Sequence, residues 1–264
     1  MGIAIMLYPP ASNYLAEKSQ GGVIEEYREK VATLSEIEQE EEREKANEYN
    51  QRLMNNVVLT DPFDAQTMVE GTEEYRSILN LRGDGVMGYI EVPSIDIYIP
   101  VYHGTSNDVL SKGVGHLVNT SLPVGGKGTH TVLSAHRGLP SARLFTDLDK
   151  LEKGEKFYLH ILGETLAYEI DQIKISEPHD IEDLLIDREH EYATLVTCTP
   201  YAINSHRLLV RGHRVPYVEE EKEITQEIKT PSLWRGEYLL ALNISVVIAS
   251  IIVRVRKRKT TNEK

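Results

Sequence analysis

The chain has 264 residues, enough for one ample hydrophobic core plus appendages. Hydrophobic residues make up 41% and charged residues 27%, which excludes a largely disordered polypeptide. The net charge is −12, and five of the 29 basic residues crowd into Arg254–Lys259, leaving 24 basic against 41 acidic residues elsewhere. So acidic a body offers little to a phosphate backbone, and nucleic acid is not an expected partner. The single cysteine, Cys198, excludes an internal disulfide.

In chain order, residues 1–10 carry a short apolar run, Gly2–Leu7, ending in Tyr8-Pro9-Pro10. It is too short for a signal peptide or an anchor and reads as the last turns of a hydrophobic segment. Residues 11–56 are expected to be helical, with the clearest pattern from about Gly22 to Met54. Ile24, Tyr27, Val31 and Leu34 recur at spacings of three and four. Ser35 with Glu38 resembles a capping box opening a second helix. Ala46, Tyr49 and Leu53 give that helix a thin apolar side, and its six acidic residues from Glu36 to Glu44 read as a solvated, partner-free face. Residues 57–70 lack periodicity, hold Asp61-Pro62-Phe63, and read as a loop.

Residues 71–218 read as a mainly β domain. Strands are expected at Met87–Val92, Ile97–Tyr102, Thr129–Ala135, Lys156–Ile161, Glu164–Ile175, Tyr192–Thr197 and His206–Arg214, with a hairpin at Gly163-Glu164. Short helices are expected at Ala142–Leu151 and Asp180–Leu185. Many strands and few helices suggest a closed barrel or a sandwich. Residues 219–237 are charged and irregular, a linker. Within 238–255, Leu239–Val253 is mostly apolar, with Trp234 and Tyr238 before it and basic residues after it. These flanks fit a C-terminal transmembrane helix with a cytoplasmic basic tail at 256–264. A buried core helix is the alternative reading.

The candidate chemistry lies where strands stop. The run Thr194-Leu195-Val196-Thr197 is β-branched and apolar, and Pro200 ends its ladder just after Cys198. The thiol therefore sits at a strand end, where reactive groups are often placed. Nine residues later, Arg207 opens the next strand. If the two strands pair, the cation comes near the thiol, favours thiolate, and can hold a developing oxyanion. Among nine histidines, His136 is the best proton carrier, because Thr131–Ala135 reads as a strand ending at His136-Arg137-Gly138.

These segments carry a resemblance. Thr194-Leu195-Val196-Thr197-Cys198 followed by Arg207 looks like the sortase signature. Ser134-Ala135-His136-Arg137-Gly138 is similar to the family's histidine segment, and the whole stretch Cys198–Gly212 looks like class C, the pilin polymerases. The resemblance implies an eight-stranded barrel, with Cys198 as nucleophile, His136 as acid and base, Arg207 as oxyanion or substrate holder, and Ser134 and Thr197 in supporting positions. It implies cleavage of a Leu-Pro-x-Thr-Gly sorting signal and transfer of the Thr carbonyl to a lysine of another pilin subunit. It also implies a lid, with Asp61 facing Arg207, Phe63 over Cys198, and Pro62 between them. Membrane attachment, an extracytoplasmic catalytic domain and a Gram-positive cell surface follow from the same likeness. Ala202 and Ser205 depart from the family pattern, where Gly and Thr are expected.

Two other readings stay open: a cell-wall-anchoring sortase or cysteine hydrolase with a different acceptor, and a non-enzymatic, membrane-anchored adhesion module with a structural cysteine. No metal site and no cofactor are expected, since one cysteine and no His-Glu-x-x-His give no zinc set. Val124–Thr129 lacks the spacing of a phosphate loop, Asn119-Thr120-Ser121 is a chance sequon, and Arg82-Gly83-Asp84 is a turn.

Overall fold

The computed structural model describes residues 2–53, 59–64, 66 and 69–218. The expected linker, transmembrane helix and basic tail at 219–264 lie outside them. Among the described residues, no helix is long and apolar enough to cross a membrane.

Eight strands close into a barrel: β1 Val86–Val92, β2 Ile97–His103, β3 Val114–His116, β4 Thr129–Ser134, β5 Lys156–Ile161, β6 Glu164–Ser176, β7 Glu191–Thr199 and β8 His206–Val215. Their order round the barrel is β1-β2-β3-β4-β7-β8-β6-β5, with β5 returning to β1. Closure gives each of these strands a hydrogen-bonded neighbour on both sides. The seven strands expected from sequence are all present, and β3 is an addition. The β5–β6 hairpin turns on Leu162 and Gly163 (φ 49° and 78°), one residue earlier than expected.

Side-chain alternation gives the barrel two apolar faces. Inside, Leu133, Leu195, Leu208, Val210, Ile90, Phe157 and Tyr168 join one large core. Outside, the β4–β7–β8 wall turns Val132, Val196 and Leu209 into a second cluster with Leu59, Leu117 and Leu184. That outer patch becomes the floor of the candidate site.

Two helices pack across the barrel, α1 Gly2–Ala32 and α2 Glu36–Leu53. The first is one continuous helix through Pro9 and Pro10. Ile24, Tyr27 and Val31 are its buried stripe, and Tyr27 Oη accepts the Leu162 N–H at 3.0 Å. The α2 capping box forms as expected: Ser35 N donates to Glu38 Oε2 (2.8 Å) and Glu38 N to Ser35 Oγ (3.3 Å). The acidic face is not partner-free, however. Glu42 accepts the Leu79 N–H at 2.7 Å, and Arg43 on the same helix pairs with Glu164 at 2.5 Å. Asn50 anchors α2 by exchanging two hydrogen bonds with the backbone of Leu122, at 2.7 and 3.1 Å.

Two short helices were not expected, α3 Glu73–Ser77 and α4 Asn107–Leu110, capped by Thr72 and Ser106. The two that were expected are not α-helical. Ala142–Leu151 contains only a 3₁₀ turn at Leu148–Lys150, because Leu144 takes φ 41°, outside helical space. Asp180–Leu185 holds a single 3₁₀ turn at Glu182–Leu184, which points Leu184 into the outer cluster. Among the weak motifs, the Gly126 N–H already binds the Glu191 carboxylate (2.9 Å), which fixes that glycine turn in place.

Candidate active site

Parallel pairing of β4 with β7 brings the histidine and cysteine segments to the same end of the barrel. Six residue pairs, from Thr129↔Glu191 to Ser134↔Val196, set the register. The Ala135 N–H extends the ladder to Val196 O at 3.2 Å, so His136 emerges beside Cys198. Thr197 Oγ1 ties the two strands together by donating to Ala135 O (2.8 Å). On the other side of β7, Cys198 and Arg207 are direct cross-strand partners. Opposed residues in an antiparallel pair project to one face. His136, Cys198 and Arg207 thus share a rim, and Ser134 lies buried just before them on β4.

Asp61 and Phe63 reach this rim from the 59–64 loop. Asp61 grips Arg207 with both oxygens, accepting from Nε at 2.8 Å and from Nη2 at 2.5 Å. Arg207 Nη1 donates to the carbonyls of Asn204 (3.1 Å) and His206 (3.0 Å). The Phe63 ring lies across the site, its centroid 5.7 Å from the His136 ring and 5.2 Å from the Arg207 guanidinium carbon. Pro62 is buried between them, while Leu59 and Phe63 fill the outer apolar cluster.

This cover sets the protonation of the site. Burial pushes the Cys198 thiol up, and the Asp61 carboxylate adds to the rise against the opposing Arg207 charge. Burial holds His136 below its ordinary value. Under the loop, the thiol and the imidazole are both favoured in their neutral forms.

Arg137 was not singled out from sequence, yet it braces the rim. Its Nη1 donates to Thr199 Oγ1 (3.2 Å) and its Nη2 pairs with Asp149 (2.5 Å), tying the end of β4 to the end of β7. The only sequence signal was its place between His136 and Gly138. Gly138 takes φ 74°, and a Cβ there would stand 2.7 Å from the Tyr201 ring, so glycine is required. Among the described residues, no three His, Cys, Asp or Glu side chains are grouped to hold a metal ion.

A barrel with this strand order, carrying Cys, His and Arg at one rim, matches a known class. The Sortase domain family model matches residues 90–215. A crystal structure of Streptococcus pneumoniae sortase C, described in terms of catalysis and pilin substrate specificity, shares 50% identity and a TM-score of 0.69, covering 74% of this chain and 97% of that one. The pilus-related sortase C of Group B Streptococcus shares 46% identity and a TM-score of 0.67, with coverage of 73% and 97%. Bacillus subtilis sortase D is 32% identical over 131 residues, a match spanning 48% of this chain and 63% of the relative's own length. The chain belongs to the sortase family, whose members are cysteine transpeptidases. Within that family, these solved neighbours are pilus sortases of class C.

Proposed function

We propose that this chain is a pilus-building cysteine transpeptidase of class C. The observation that carries the reading is the rim itself, with Cys198 and Arg207 paired across β7 and β8 and His136 at the same end of β4. Identity of 50% to a pneumococcal sortase C supports the choice of class.

In this reading the Cys198 thiolate attacks the Thr carbonyl of a Leu-Pro-x-Thr-Gly sorting signal. Arg207 donates to the oxygen as negative charge develops there. The C–N bond to Gly breaks, His136 protonates the departing amine, and a thioester remains. A lysine amine of another pilin subunit then attacks the thioester. His136 takes the amine's proton, Cys198 leaves as thiolate, and an isopeptide bond forms. The Asp61–Phe63 loop blocks the rim until it lifts. The apolar floor of Val132, Val196 and Leu209 suits the Leu and Pro of the signal. The segment 238–255 anchors the chain in a membrane, with the catalytic barrel outside the cytoplasm and the 256–264 tail inside.

The test is intact mass of the purified chain after mixing with a Leu-Pro-x-Thr-Gly peptide. The expected result is a mass gain equal to the peptide cut after Thr, absent in Cys198→Ala, and released as an isopeptide product on adding a pilin with a free lysine. An adduct that yields only hydrolysed peptide with every amine would instead mark a hydrolase.

A further inference from the structure

Among the described residues, three buried polar side-chain atoms near the rim have no hydrogen-bond partner: Ser134 Oγ, Arg137 Nε and Ser176 Oγ. Such groups are uncommon in native proteins, and each calls for an explanation. Ser176 has a particular position. It is the last residue of β6, its cross-strand partner is Arg207, and Arg207's partner on the other side is Cys198. Three adjacent strands therefore line up Ser176, Arg207 and Cys198 in one row. Directly opposed residues project to the same face, with Cβ atoms about 4.5–5.5 Å apart. Ser176 is only 5% exposed.

The loop explains why this hydroxyl is idle. Arg207 gives Nε and Nη2 to Asp61, and Nη1 to the carbonyls of Asn204 and His206. Four of the five guanidinium N–H groups are engaged, and in the orientation they impose Ser176 Oγ finds no partner among the described residues. Lifting the loop removes Asp61 and strips Nε and Nη2 of their acceptor at once. A substrate carbonyl replaces one of the two carboxylate oxygens, and the second place is left open.

The geometry points to Ser176 as a positioning residue for the transfer reaction: once Asp61 withdraws, its Oγ accepts a hydrogen bond from the Arg207 guanidinium and keeps the remaining N–H aimed at the scissile carbonyl. In the closed protein Asp61 holds the guanidinium in an orientation that does not meet the hydroxyl, and opening the loop frees the fork to turn towards it. A guanidinium held by Nη1 alone can swing about that nitrogen, and a fork held at both ends cannot. This inference rests on the sortase reading of the site.

The experiment uses the full chain in detergent, with the loop freed by Asp61→Ala and Phe63→Ala. Acylation by a Leu-Pro-x-Thr-Gly peptide is followed by intact mass, with kcat and KM for the acylation step separated. Ser176→Ala, Ser176→Thr, Arg207→Lys and the Ser176→Ala/Arg207→Lys pair are compared in that background. Ser176→Ala is expected to lower kcat about tenfold with KM changed less than about twofold, as for a group acting on the transition state. Ser176→Thr keeps the hydroxyl and restores most of the rate. In the Arg207→Lys background, Ser176→Ala adds less than about a further twofold, because the fork it steadies is gone. The thermal midpoint of the otherwise unaltered chain does not fall on Ser176→Ala.

An unchanged kcat overturns the inference. So does a loss confined to KM, which would mark a direct peptide contact, or a full-size loss repeated in Arg207→Lys. A fall in thermal midpoint that parallels the loss of rate makes Ser176 structural and also overturns it. An acylated loop-freed parent beside an indifferent Ser176→Ala overturns this role alone. A loop-freed parent that is not acylated overturns the sortase reading and this inference with it.

Discussion

Removing the Asp61 carboxylate should unlatch the loop over Cys198. The latch is a two-point pair at 2.8 and 2.5 Å, with Arg207 and Asp61 side chains only 11% and 9% exposed. Charge-assisted hydrogen bonds contribute roughly 1.5–3 kcal/mol each. The open loop returns both groups to water, and the desolvation of the closed pair offsets much of that gain. A net latch of about 1–3 kcal/mol lies between an exposed ion pair and a broken buried one. At about 1.4 kcal/mol per factor of ten, Asp61→Ala then raises the open fraction about 5- to 150-fold. The assay is the rate of Cys198 alkylation by a small reagent in excess, followed by intact mass across a pH series. A second signature accompanies the rate. Burial and then the Asp61 charge hold the thiol pKa up, while Arg207 pulls it down. Opening the loop removes the Asp61 charge and the part of the burial that the loop supplies, so the pH–rate profile should move to lower pH. Asp61→Asn, which keeps size but not charge, should move it the same way by less. Alkylation within about twofold of the parent at every pH, with an unmoved profile, would refute the latch.

Tyr75→Phe should lower the thermal midpoint. Tyr75 is 1% exposed, its hydroxyl accepts the Gly104 N–H at 3.0 Å and lies 2.9 Å from His116 Nδ1, so its loss leaves buried groups unpaired. A cost of about 1–3 kcal/mol corresponds to roughly 2–10 °C, and an unchanged melting curve would contradict it. Acid should destabilise the fold through His116 and His130. Burial lowers both to about 4, so the unfolded chain binds their protons more readily, and stability present above pH 6.5 is lost as pH falls from 6.5 towards 4. Urea unfolding at pH 7, 6 and 5 should give successively lower midpoints; a flat series would refute the assignment.

The sequence reading was strongest where a long local pattern met a buried face. On β7 and β8, alternating apolar residues meet in register, and that register sets Cys198 opposite Arg207. It was weakest where position is decided by distant chain. Strand β3 has three residues and shows no alternation, and Gly115 is required by the Gly104 carbonyl, 2.4 Å from where a Cβ would stand. The Ala142–Leu151 stretch has helical spacing at Ala142, Phe145 and Leu148, all buried, but the positive φ at Leu144 turns the same spacing into an irregular loop. Helix α1 runs through Pro9 and Pro10, residues that locally argue against a helix; Ser12 and Gln20 further along it bind the backbone of Ser141 and Lys112. The Asp61–Arg207 contact spans 146 residues, a distance no local pattern covers, and only the family resemblance pointed to it. Ser176 and Arg137 carried no sequence signal beyond their neighbours, because their importance comes from adjacent strands.

The parallel pairing of β4 with β7 has a wider consequence. The spacing of His136 from Cys198 is fixed six residue pairs deep in the barrel wall, whereas the 59–64 loop and the 177–190 connection are draped over its outside. The reactive groups and their cover thus sit on separable parts of one chassis. Exchanging the outer pieces can change when the rim is uncovered, while Cys198, Arg207 and His136 stay where the wall puts them.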